Sequence, residues 1–230
     1  MSDKESYSGA LDVRGLHFED DTTKNGEKQD EMFAGMEEIG ATVVAVYMRC
    51  LFDNLKATNM VNMVGLINPA QVSANSGTLT CRSCLVANRL QKTDGEQIFF
   101  MPYNPGRHWV LIIMRAKKET VYFLDPLPGN RVVDEECKNV VNSAMKMYNS
   151  HIGRQCRKSP IWKTLPSTPK QPSSVECGYY VMRFMRDIIM DPALEFEKMF
   201  EKGKDQAPYP QEAIDEVRKE WAEFVCLRME

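Results

Sequence analysis

A chain of 230 residues with 43% hydrophobic and 27% charged side chains fits one medium-sized domain, or one domain with a short tail, able to bury roughly 70 to 75% of its unfolded surface. The formal net charge of −3 leaves no basic footprint for a phosphate backbone, so nucleic acid is not an expected partner. No run approaches the ~18 apolar residues of a membrane span and Met1-Ser2-Asp3-Lys4-Glu5 lacks the apolar core of a signal peptide, so we expect an intracellular protein, nuclear or cytoplasmic, with no membrane partner.

Residues 1–30 are polar and carry little period; we expect a flexible tail there and a single domain over 31–230. From residue 37 to 55, Ile39, Val43, Val44, Val46, Tyr47, Cys50, Leu51 and Leu55 recur at three- and four-residue spacing, which predicts a buried amphipathic helix. A weaker helical pattern follows through Met60, Val61, Val64 and Leu66, and another through Cys84, Leu85, Ala87 and Leu90. Residues 97–103, 109–114 and 120–124 are short apolar runs rich in branched and aromatic side chains. Separated by Asn104-Pro105-Gly106 and by Ala116-Lys117-Lys118-Glu119, they predict consecutive strands in a meander. Residues 134–147 predict a helix, 161–165 a further strand, and the proline-rich 166–174 a loop into a helix starting near Cys177. A last helix is expected over 210–227, with Ile214, Val217, Trp221 and Phe224 on its buried side. The order of elements gives an α+β class, with a central mixed, largely antiparallel sheet flanked by helices.

Four residues stand where thiol chemistry needs them. A cysteine attacks as its thiolate, a form favoured at a helix N-terminus or beside an imidazolium. Cys177, in Glu176-Cys177-Gly178-Tyr179-Tyr180, occupies such a terminus, and Gly178 removes side-chain bulk where a substrate carbonyl must approach. Of the three histidines, His17 lies in the tail and His151 in a polar stretch. His108 instead opens the strand Trp109-Val110-Leu111-Ile112-Ile113, a rigid mount for a base. Asp125 closes the next strand and is followed by Pro126, which stops the ladder. If the two strands pair, His108 meets Asp125, and the carboxylate orients the ring. Gln171, six residues before Cys177, offers an amide N–H that joins the Cys177 backbone N–H as an oxyanion donor. Taken singly, each has an ordinary explanation: a small buried cysteine, a structural histidine, a turn aspartate, a loop glutamine.

Together they resemble a known pattern. The His108-Trp109 pair, the segment Phe123-Leu124-Asp125-Pro126-Leu127 and the spacing from Gln171 to Cys177-Gly178 resemble the ubiquitin-like-protein-specific cysteine proteases. This is the SUMO protease family, which shares its core with adenovirus proteinase. The similarity covers about residues 35–230 and is greatest to divergent plant members associated with mobile elements. The resemblance implies a cysteine proteinase fold with the nucleophile at a helix N-terminus. It also implies hydrolysis after the C-terminal Gly-Gly of a ubiquitin-like modifier, SUMO-type, by a monomer. Trp109 then matches the tryptophan that roofs a narrow tunnel over the diglycine.

Two stretches depart from the family pattern. Glu38-Ile39-Gly40-Ala41-Thr42 stands where a Trp-Leu-Asn-Asp-like helix start is expected, which leaves the diglycine clamp without its second tryptophan and an acidic contact. Ser173-Ser174-Val175-Glu176 replaces the usual Asn-Gly before the nucleophile, keeping the acidic type beside the cysteine. The mechanism requires no cofactor and no metal. Cys81-Arg82-Ser83-Cys84 lacks a second ligand pair at finger spacing, and seven scattered cysteines in a chain of this size are expected as reduced thiols. The rival reading is the same fold kept as an inactive ubiquitin-like-protein binding module or mobile-element remnant; a further one is the same chemistry acting on ubiquitin or an ordinary peptide.

Overall fold

The computed structural model describes residues 38–73, 75–129, 132–155, 157–201 and 207–229, so the expected tail over 1–30 lies outside the described residues. Five strands form one sheet in the order β1-β2-β3-β4-β5: β1 (Val64–Leu66), β2 (Ile98–Tyr103), β3 (Val110–Arg115), β4 (Thr120–Leu124) and β5 (Ile161–Thr164). The central three run antiparallel, while β1 and β5 add parallel strands at the two edges. The class is α+β with a mixed sheet, and the meander at its centre follows the three apolar runs of the sequence.

Both sheet faces are covered, which is why β2, β3 and β4 are unbroken apolar runs rather than alternating ones. On one face Leu111 and Ile113 meet α1 (Ala41–Ala57), α4 (Cys177–Met190) and α6 (Gln211–Met229). On the other, Val110, Ile112 and Met114 meet α2 (Leu79–Gln91) and α3 (Glu135–His151), which also pack against each other. Between α4 and α6 lies the single turn α5 (Phe196–Met199). Pro102 is tolerated in β2 because β1 pairs only as far as Phe100, so the missing N–H breaks no ladder.

Helix limits follow local chemistry. Thr78 caps α2 by accepting from the Cys81 N–H at 3.2 Å, and Asp134 caps α3 by accepting from the Cys137 N–H at 3.0 Å. Consequently α2 begins five residues before the pattern at Cys84, and α3 runs one turn past Met147.

The stretch from Met60 to Leu66 corrects the sequence reading, because it is not helical. After α1 the chain turns at Asn59 in the left-handed region (φ 59°), then extends into β1 alongside β2, with Gly65 opposite Phe99. A Cβ on Gly65 would collide with the Phe99 ring. Close approach to β2, not local propensity, sets this segment's state.

Candidate active site

The register of β3 and β4 brings the base and carboxylate together. Leu111 pairs with Leu124, so carrying the ladder one step further sets Val110 opposite Asp125, with His108 just beyond. The imidazole Nε2 lies 2.7 Å from Asp125 Oδ1. That same oxygen accepts the Leu127 N–H at 2.8 Å, so the turn after β4 fixes the carboxylate in place. On the histidine side, Asn104 Oδ1 accepts the Gly106 N–H at 2.8 Å and the His108 N–H at 3.2 Å. The β2–β3 loop is thus folded around one amide, a role that treating Asn104 only as a turn residue missed.

Cys177 is the first residue of α4 and lies close enough to the His108 ring to act on its protonation. With Nε2 turned to Asp125, Nδ1 is the ring nitrogen left for sulfur. Burial pulls the imidazole pKa down. The hydrogen bonds to Asp125 and Cys177 and the negative charge on both outweigh it, pushing His108 up to about 9. The ring is therefore charged at neutral pH when the sulfur is a thiolate. Glu176, at the N-cap, makes no side-chain cap bond to the helix.

Trp109 and Gly178 lie beside Cys177 together with Ile39, from the stretch that departs from the family pattern. Trp109 is 3% exposed and donates its indole N–H to the Ile39 carbonyl at 2.9 Å. The Ile39 side chain lies where a Cβ on Gly178 would stand, and Trp109 Cδ1 would be 3.2 Å from that same atom. Gly178 is thus required by packing as well as by any approach of substrate. Ile39, Trp109 and Cys177 share one apolar cluster, and Cys177 is 2% exposed. The Glu38–Ala41 segment therefore packs against Trp109 and Gly178, next to Cys177, through Ile39 rather than through an aromatic ring.

Gln171 is held at the same end of the sheet. Its backbone N–H donates to the Pro126 carbonyl at 2.8 Å, and the preceding Lys170 donates its ammonium to the Asp125 carbonyl at 2.8 Å. Burial lowers the Lys170 pKa. The Gln171 amide Nε2 donates to the Ser173 carbonyl at 2.5 Å, while Oε1 is buried with no hydrogen-bond partner among the described residues. One of the two amide protons is therefore engaged by the loop. A cavity of about 230 Å³ borders His108 and Asp125; a larger one of about 530 Å³, beside Asn62, Arg89 and Lys92, contains none of these residues. Cys81 and Cys84 are exposed on α2, beyond the opposite face of the sheet.

A cysteine at a helix start, an imidazole near it and a carboxylate behind the ring stand together at one end of this sheet. A family model for the Ulp1 protease family, C-terminal catalytic domain, matches residues 88–226, more than half of the chain. The chain belongs to the Ulp1 protease family. No curated protein matches it in sequence. Among solved structures it is similar to a de-sumoylating protease (14% identity, 86% of this chain and 85% of that one, TM-score 0.62). It is also similar to the yeast Ulp1 protease domain in complex with Smt3, the yeast ortholog of SUMO (15% identity, 88% and 83%, TM-score 0.55). A third is the Xanthomonas campestris effector XopD bound to ubiquitin (15% identity, 81% and 91%, TM-score 0.55). At these identities the likeness carries the fold. Among the described residues, no helix is long and apolar enough to cross a membrane.

Proposed function

We propose that this chain hydrolyses the bond after the C-terminal Gly-Gly of a ubiquitin-like modifier, SUMO-type, as a precursor or as a lysine conjugate. Cys177 is the nucleophile, His108 the base and then the acid, Asp125 the group that orients the ring, and Gln171 an oxyanion donor. The observation that carries this reading is the His108 ring, 2.7 Å from Asp125 Oδ1 at Nε2 and near enough to Cys177, at the start of α4, for the sulfur to act on its protonation.

With the thiol proton already on His108, the thiolate of the ion pair attacks the glycine carbonyl. The Cys177 N–H and the second Gln171 N–H stabilise the oxyanion. Collapse breaks the C–N bond, and His108 returns its proton to the departing amine. Water, deprotonated by the now neutral His108, then cleaves the thioester. Trp109, packed beside Gly178, is assigned the roof over the diglycine, a place that favours residues without side chains. Partners follow from similarity: one neighbouring structure holds a SUMO ortholog and another holds ubiquitin.

A modifier with a C-terminal electrophile should form a covalent adduct with the wild type and none with Cys177→Ala. His108→Ala should be as inactive as Cys177→Ala. The 2% exposure of Cys177 favours a second reading, a non-catalytic modifier-binding module. Binding without an adduct across a panel of SUMO-type modifiers and ubiquitin would select it.

A further inference from the structure

The loop before the nucleophile contains a chain of contacts that the proposed reaction has not used. Glu176 Oε2 accepts both the Ser173 N–H at 3.1 Å and the Ser173 hydroxyl at 2.9 Å. The Ser173 hydroxyl also accepts the Val175 N–H at 3.4 Å. Ser173 in turn offers its carbonyl to the Gln171 amide. At its other end Glu176 belongs to the nucleophile helix, because its carbonyl accepts the first helical bond, from the Tyr180 N–H at 3.0 Å. Glu176 is buried, yet none of these contacts is with the sulfur or with the helix N–H groups.

We propose that Glu176 is a positioning residue for the oxyanion donor, acting through Ser173 on Gln171; this rests on the hydrolase reading above. An amide is planar, so pinning one Nε2–H onto the Ser173 carbonyl fixes the direction of the other. Pinning alone is insufficient if the carbonyl itself can move. The Glu176 carboxylate grips Ser173 at two points and makes the carbonyl part of the N-terminus of α4. The two oxyanion donors, one on the Cys177 backbone and one on Gln171, are thereby held at a fixed separation by a single side chain. The unpartnered, buried Gln171 Oε1 agrees with an amide whose orientation is set from its nitrogen side. Misplacing a catalytic group by about 1 Å costs up to about 100-fold in rate, so the loss from releasing this grip falls between about tenfold and a hundredfold.

The test uses the full chain and two substrates, SUMO and ubiquitin, each carrying a C-terminal aminomethylcoumarin amide. Glu176→Ala should lower kcat by about 10- to 100-fold with KM within about twofold. Glu176→Gln, which keeps an acceptor oxygen, should recover most of that loss. Alkylation of Cys177 by iodoacetamide, which needs no oxyanion donor, should keep its rate and pH profile. In a Gln171→Ala background, Glu176→Ala should cost almost nothing further. Where Glu176→Ala fails to fold, Ser173→Ala removes the hydroxyl's contacts with Glu176 and Val175, keeps the Ser173 N–H bond to Glu176, and should lower kcat a few-fold by the same route. Additive losses, a rise in KM alone or a shifted alkylation profile would overturn the proposal while leaving the hydrolase reading intact. Absence of turnover by the wild type on both substrates would remove that reading and this one together.

Discussion

His108 is the residue on which the pH behaviour turns. Its pKa is raised to about 9, so the imidazolium that must protonate the departing amine is present below that value and lost as pH rises through it. The descending limb of kcat/KM should therefore centre near pH 9, a value belonging to the coupled imidazole-thiol pair. Asp125→Asn removes one charge that favours the imidazolium and should move that limb down by about 1 to 3 units, with a strong loss of rate. A limb that stays in place would show that Asp125 does not act on the ring. Gly178 is a second single-residue test. Adding a methyl group there presses on Ile39 and Trp109, which should cost about 1 to 3 kcal/mol in a thermal or denaturant melt and slow adduct formation. Ile39→Ala clears that space, so the pair Gly178→Ala with Ile39→Ala should regain part of the adduct rate. No regain would mean that the glycine serves the substrate and not the packing.

Individual elements hold the site by their ends. The β2–β3 loop is shaped by Asn104, so Asn104→Ala frees the His108 backbone without touching the ring. It should cost about 1 kcal/mol of stability and about tenfold in kcat, measured on the same coumarin substrates. Equal rates for the variant and the wild type would show that pairing of β3 with β4 is enough to place the ring. Much at this scale was legible beforehand. The His108–Asp125 contact follows from two adjacent apolar runs joined by a short polar turn, because antiparallel pairing sets the start of one strand against the end of the next. The start of α4 at Cys177 follows from a proline-rich loop meeting a helical apolar period. What was not legible depends on contacts without period. Ile39 reaches Trp109 across 70 positions; the family resemblance pointed to the stretch from Glu38 to Thr42, but no local pattern there signals the contact itself. Ser173 and Glu176 act through side-chain-to-backbone bonds in an irregular loop. Residues 64–66 are too few to show alternation and are a strand only because β2 lies beside them.

At the scale of the molecule, the nucleophile's helix and the segment over the thiol are kept in register by the far end of the chain. α6 packs on both α1, which follows directly from Ile39, and α4, which begins at Cys177. Its contacts there are more polar than a core alone requires. Glu220 accepts from the Tyr47 hydroxyl at 2.6 Å and from Arg186 at 2.8 Å, while Glu216 pairs with Arg183 at 2.5 Å and Arg186 at 2.6 Å. Trp221, buried beside them, donates to the Val43 carbonyl at 3.2 Å. Surface pairs contribute little, but Glu220 joins α1 to α4 through one carboxylate whose loss would strand a buried hydroxyl and part of a guanidinium. Glu220→Gln retains an acceptor and should be mild in a thermal melt. Trp221→Ala should cost about 3 to 5 kcal/mol. If α6 only adds stability, both variants at a temperature where they remain folded will match wild-type kcat and alkylation rates. If instead α6 sets the spacing between Ile39 and Cys177, folded Trp221→Ala will alkylate faster than wild type while its kcat falls. Loosened cover exposes the sulfur but spoils the passage above it.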